Sequence, residues 1–238
     1  MIDKMVGKTE VALYGLAYSI GMLVQLFISG MNSALTPWMY SKIKKGDIRS
    51  MRKVLQLLSV VVVGIAVALM LISPELVLIF GSPKYREAVY VIPPVAASVF
   101  FIFIYNILSM PQFYYEKTQF LMAASMAAAG ANVGLNFIFI RLFGYIAAGY
   151  TTLACYMLYS VGHYIVSKRI LVNEGIQENL MNPGFLLACS VFLIGASIIC
   201  NLIFPYRILR YAILLASAGL VFWKKELLLK TMADIRKK

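Results

Sequence analysis

The sequence predicts an all-α bundle that crosses a lipid bilayer about seven times, and two observations carry that prediction. Hydrophobic residues make up 61% of the 238 positions and charged residues only 13%, with a mean hydropathy of +0.82, far more apolar than a domain folded in water. Weakly charged stretches long enough to span hydrocarbon, roughly 20 residues at about 1.5 Å each, also recur from Val11 onward. Inside hydrocarbon every backbone N–H and C=O must be satisfied by a helix or a closed barrel. These runs lack strict apolar/polar alternation, which selects helices.

The first span covers about 10–40, with Pro37 and Trp38 near an interface. The second covers about 54–73 and is followed at once by Pro74. The loop PELVLIFGSPKYREA after it has room for a short interfacial helix. The third, about 89–110, carries Pro93 and Pro94 in its first turns, where a missing N–H donor is tolerated. The fourth runs over 118–140, the fifth over 145–167, the sixth over 184–204 and the seventh over 208–223. Only Pro205, Tyr206 and Arg207 separate the last two, which makes a tight hairpin. A basic tail at 224–238 completes a single transmembrane domain.

Charge sets the expected orientation, because cationic loops are retained on the cytoplasmic side. Of 22 Lys and Arg residues, only Lys4, Lys8, Lys84, Arg86, Arg141, Arg207 and Arg210 fall on one side. The remainder fall in the alternate loops and the tail. The expectation is a multi-pass cell-membrane protein with its N-terminus outside and its C-terminus in the cytoplasm. The net charge of +12 is therefore read as topology and not as nucleic-acid binding. Cys155, Cys189 and Cys200 sit in apolar runs, odd in number and without metal-ligand spacing, and are read as packing residues. No secretory signal with a basic start and a cleavage site is visible, so the spans are expected to direct insertion.

Polar residues in a span are costly unless they face neighbours or water, so their helical spacing marks a lined face. In the first span Tyr14, Tyr18, Gly21, Gln25, Ser29, Asn32 and Thr36 advance by three or four residues throughout. The fourth has Thr118, Ser125, Asn132 and Asn136, and the fifth has Thr152, Tyr156, Tyr159, His163 and Ser167. The third presents a broader flank of Ser98, Tyr105, Asn106, Ser109 and Gln112. Spans two, six and seven are nearly bare. Spans one, three, four and five are thus expected to face a hydrated cavity. The competing reading is ordinary helix packing, with Gly130 and Gly134 allowing close approach beside Asn132.

His163 has no acid in its own span to orient it and lies near the Lys168 and Arg169 border, which favours a structural or interfacial role over proton relay. Acidic residues are absent from all seven apolar interiors; Glu10, Glu75, Glu87 and Glu116 stand at the ends. There is no nucleophile elbow, no HExxH and no phosphate-binding glycine loop, so no enzyme, metal or cofactor is expected.

Three stretches carry a family likeness. They are MVGKTEVALYGLAYSIGMLVQ, the basic block PWMYSKIKKGD, and YYEKTQFLMAASMAAAGANVGLNFIFIRLFGYIAAGYTTLACYML. Together they resemble the C-terminal portion of bacterial polysaccharide transporters, the O-antigen and teichoic-acid flippase type within the multidrug/oligosaccharidyl-lipid/polysaccharide exporter superfamily. The resemblance implies two pseudo-symmetric bundles around a central cavity, of which this chain supplies one. A missing N-terminal bundle or a second copy would complete it. It also implies translocation of a lipid-linked oligosaccharide on an undecaprenyl diphosphate-type carrier. Tyr18, Gln25, Asn32, Asn132, Asn136 and His163 are then candidates to line the path. Lys117 and Arg141, near opposite ends of the fourth span, are candidates to contact the head group, with interfacial anchoring as their alternative role. The rivals are a multidrug-type exporter half, for which a cavity acid is expected, a membrane-embedded glycosyl- or acyltransferase, and a non-transporting membrane partner.

Overall fold

The computed structural model describes residues 2–223, and the expected basic tail at 224–238 lies outside them. The architecture is an all-α bundle without strands among the described residues. Its helices are α1 (Ile2–Met5), α2 (Lys8–Gly21), α3 (Leu23–Lys44), α4 (Ile48–Phe80), α5 (Ile92–Tyr114), α6 (Gln119–Phe143), α7 (Ala147–Asn173), α8 (Pro183–Ile203) and α9 (Arg207–Trp223). A 3-10 segment, Pro83–Tyr90, joins α4 to α5. Among the described residues, five helical stretches are long and apolar enough to cross a membrane: α2 and α3 taken together, α4, α5, α6 and α8. Helix α7 is 27 residues long, but its tyrosines, threonines and His163 dilute its apolar character. Helix α9 has only 17 residues.

Local chemistry explains where the helices start and stop. Asp47 caps α4 by accepting from the Ser50 amide, and Asn182 caps α8 by accepting from the Gly184 amide at 2.8 Å, with Pro183 in the first turn. The Lys42 ammonium bonded to Asp47 holds its carboxyl below the usual carboxylate range. Three helices end in a left-handed residue closed by paired amide-to-carbonyl bonds. Asp47 N–H reaches Lys42 O at 3.0 Å across Gly46, Lys117 N–H reaches Gln112 O at 2.8 Å across Glu116, and Ile176 N–H reaches Leu171 O at 2.8 Å across Gly175.

Helix α4 runs on past the expected end at Ser73, straight through Pro74. Proline removes the amide that would bond the carbonyl of Met70, but the Ser73 hydroxyl donates to that carbonyl at 2.7 Å and no group is orphaned. The first expected span is interrupted instead. Helix α2 stops at Gly21 and α3 begins at Leu23, with Met22 between them. A Cβ on Gly21 would lie 2.6 Å from the Val95 side chain, so glycine is what lets α5 press against the chain at this break.

Helix α5 is the axis of the bundle. Its apolar stretch is almost wholly buried, whereas that of α6 is almost wholly exposed, and Phe100, Phe103 and Ile104 lie in the interior among α2, α3, α4, α7 and α8. Gly149 opens α7 for this contact, since a Cβ there would meet Pro94 at 3.0 Å. Helix α6 leans on α7 from outside the core, with Ile140 its only buried residue among those described. Arg210 of α9 is buried and grips Glu75 of α4 with two bonds of 2.8 Å, while also donating to Leu71 O at 2.7 Å. Tyr211 donates to the same carboxylate at 2.9 Å.

Candidate functional site

Between α2, α5, α6 and α7 lies a cavity of about 540 Å³. Helix α2 contributes Tyr14 and Tyr18, whose rings stack at 5.8 Å. Helix α5 contributes Tyr105, and α6 contributes Ser125, Asn132 and two alanines. Helix α7 contributes Thr152, Cys155, Tyr156 and Tyr159. Tyr105 is parallel to Tyr156, with centroids 6.3 Å apart, and meets Tyr159 at 4.7 Å. The hydroxyls are tied across helices: Tyr14 to Thr152 at 3.4 Å, and Ser125 to Tyr159 at 2.8 Å. Among the described residues, none that lines this cavity carries a formal charge.

The candidates read from the sequence separate in three dimensions. Tyr18 and Asn132 line the cavity. Asn136 borders a neighbouring hollow of about 300 Å³ together with Tyr14 and Asp3. Its amide donates to Asn132 Oδ1 at 2.9 Å, and its own oxygen accepts from Thr151 at 2.5 Å, cross-linking α6 to α7. Gln25 and Asn32 lie on α3, beyond the turn at Met22, and line neither hollow; each has a buried side-chain oxygen without a hydrogen-bond partner among the described residues. Gln25 and Asn32 thus stand apart from the cavity although they lie on the stripe of the same first span, Lys8–Lys44, which carries a one-residue turn at Met22; Gly21 within that stripe packs against Val95.

His163 is buried behind the cavity wall, with Tyr159 against its ring at 4.5 Å and Tyr105 at 5.9 Å. Gln112 of α5 donates from its amide nitrogen to His163 Nδ1 at 2.7 Å. That makes Nδ1 the acceptor and places the ring hydrogen of the neutral imidazole on Nε2. His163 Nε2, Gln112 Oε1 and Ser167 Oγ are all buried without a hydrogen-bond partner among the described residues. Lys117 stands 3.8 Å from Glu174, and Arg141 lies over the Phe137 ring at 3.9 Å, an arrangement suited to an interfacial cation.

Selection by span stripe passed over Tyr14, Tyr105, Tyr156 and Tyr159 as individual candidates, although each sits on a marked face. The usable signal was the pairing of tyrosines at i and i+4 on α2 with tyrosines on α5 and α7. Cys155, read as packing, lies on the wall beside Asn132.

The family model described as MatE matches residues 1–138, a stretch that runs from α1 through most of α6 and includes Tyr14, Tyr18, Tyr105, Ser125 and Asn132. An uncharacterized membrane protein of Haemophilus influenzae is 30% identical over 142 residues, covering 55% of this chain and 34% of that protein. The matched region thus spans about a third of the relative's length. No solved structure matches the chain. With more than half of its residues matched by the family model, the chain belongs to the MatE family, membrane transporters of the multidrug/oligosaccharidyl-lipid/polysaccharide exporter superfamily.

Proposed function

We propose that this chain forms one wall of a pathway that moves a lipid-linked oligosaccharide across the cytoplasmic membrane, on a carrier of the undecaprenyl diphosphate type. The observation that carries the proposal is the uncharged, tyrosine-rich and hydroxyl-rich lining of the cavity. Aromatic faces beside amide and hydroxyl groups suit a neutral polyhydroxylated ligand, which needs both apolar platforms and exchangeable hydrogen-bond partners. The carrier tail remains in the bilayer, so only the sugar and diphosphate require a polar route. Lys117 and Arg141 would meet the head group at opposite ends of α6.

The cavity is open on one side, and α6 beside it is exposed along nearly its whole length. This supports an opposing bundle, either an N-terminal partner or a second copy, as the second wall. Taken over the seven spans read from the apolar runs, the loop charges support an N-terminus outside and a C-terminus in the cytoplasm.

A second reading has its own support. Five tyrosines around one cavity also form a surface that attracts organic cations, as a multidrug-type exporter requires. Binding to the purified chain in nanodiscs separates the two. A polyprenyl-diphosphate oligosaccharide that binds, with no competition from a lipophilic quaternary ammonium, is the expected result. Binding of the cation alone would overturn the oligosaccharide reading.

A further inference from the structure

A second built feature lies on the nearly opposite face of α7. Met157, Val161 and Tyr164 are spaced by three or four residues and turn away from the cavity-lining Cys155, Tyr156 and Tyr159. With Phe101 of α5 and Leu186 and Ser190 of α8, they line an apolar groove of about 280 Å³. Tyr164 also borders a neighbouring hollow of about 440 Å³ along α7, lined further on by Lys168, Arg169 and Asn173. The groove is closed at the same end by Pro183, the first residue of α8. An apolar trough therefore leads, past one shared tyrosine, to a pair of exposed cations at the end of the span.

The charge balance around that end favours an anionic occupant. Among the described residues, the nearby acids are already engaged: Glu178 faces Arg52 at 3.7 Å and Glu174 faces Lys117 at 3.8 Å. Lys168 and Arg169 form no ion pair with described residues. Cationic pockets beside spanning helices at the membrane boundary recognise lipid phosphates, and an apolar trough in hydrocarbon accepts a chain. We propose that this groove holds an anionic phospholipid of the surrounding bilayer, with one acyl chain along Met157, Val161 and Tyr164 and its phosphate between Lys168 and Arg169. The transported head group is a poorer occupant, because this face is turned away from the polar cavity.

The test uses the full chain in nanodiscs of dioleoylphosphatidylcholine with one quarter dioleoylphosphatidylglycerol. Native mass spectrometry counts the phosphatidylglycerol molecules retained after release. The expected result is selective retention that falls about fivefold for each cation removed in Lys168→Ala and Arg169→Ala. Retention should fall independently in Ser190→Phe, which fills the groove without touching charge. The pair Lys84→Ala and Arg86→Ala, at exposed cations elsewhere, should leave it unchanged. Loss in the charge variants alone would reduce the effect to a general cationic belt and overturn the site. Equal loss in the Lys84 and Arg86 variants, or no loss in any variant, would overturn it as well.

Discussion

Replacing Glu75 by Leu should be among the most damaging single changes in the bundle, and its cost can be worked from the geometry. Arg210 is 3% exposed and spends two of its three protein bonds on the Glu75 carboxylate. Without Glu75 the guanidinium stays buried with only the Leu71 carbonyl as acceptor. Removing one partner of such a pair costs about 3–5 kcal/mol. The lower end applies here, because the Glu75 side chain is 25% exposed and water can replace part of its contribution. Arg210→Leu should cost less, about 2 kcal/mol, since the stranded carboxylate keeps Tyr211 and solvent access. The double variant removes both charges and should lose only about 1 kcal/mol, so the two effects are far from additive. Thermal unfolding followed by the loss of helical circular dichroism reads this directly. For a chain of this size, about 3 kcal/mol corresponds to roughly 6–12 °C in Tm. A double variant as unstable as the sum of the singles would refute the claim that the pair acts as a unit.

Further predictions concern other parts of the fold. Glu116 holds a left-handed conformation, φ 56°, where two comparable helix ends have glycine; Glu116→Gly should raise stability by about 1 kcal/mol in the same unfolding assay. Gly21→Val should lower it by about 1–3 kcal/mol through the clash with Val95, and a compensating Val95→Ala should recover part of the loss. The carboxyl of Asp47 is depressed by Lys42, so its stabilisation is fully present above the ordinary aspartate range and is lost as the pH falls through the lower folded value. Asp47→Asn should flatten that acid limb, and unchanged pH dependence in the variant would count against the assignment. In the cavity, Tyr18→Ala and Tyr105→Ala should each weaken oligosaccharide binding by about threefold to tenfold, measured by titration in nanodiscs at temperatures well below each variant's Tm.

The helical class was legible because hydrocarbon leaves a chain this apolar few ways to satisfy its backbone, and the helix ends follow the same logic at Asp47 and Asn182. Part of the cavity was legible too. Tyr14, Tyr18, Ser125, Asn132, Thr152, Tyr156 and Tyr159 share helical faces marked by spacing alone, and spacing is a local property. What spacing could not supply was tertiary. The close approach of Val95 to Gly21, beside the turn at Met22, is a contact between helices far apart in the chain. The passage of α4 through Pro74 depends on the Ser73 rotamer that satisfies Met70. Glu75 and Arg210 each look like the end of a span in one dimension, and only the packing of α9 on α4 turns them into a buried pair. His163 likewise appeared near a charged border, yet its partner Gln112 belongs to another helix, 51 residues away in the chain.

The most direct test of the central claim is a leaflet-resolved flipping assay in vesicles loaded with a polyprenyl-diphosphate oligosaccharide. It compares this chain alone, the chain joined to an upstream membrane bundle, and the joined form carrying Tyr18→Ala with Tyr105→Ala. Translocation by the joined form that is reduced at least tenfold in the cavity variant is the expected result. Translocation that ignores the cavity variant, or none in either wild-type form while a lipophilic cation is moved, would contradict the account.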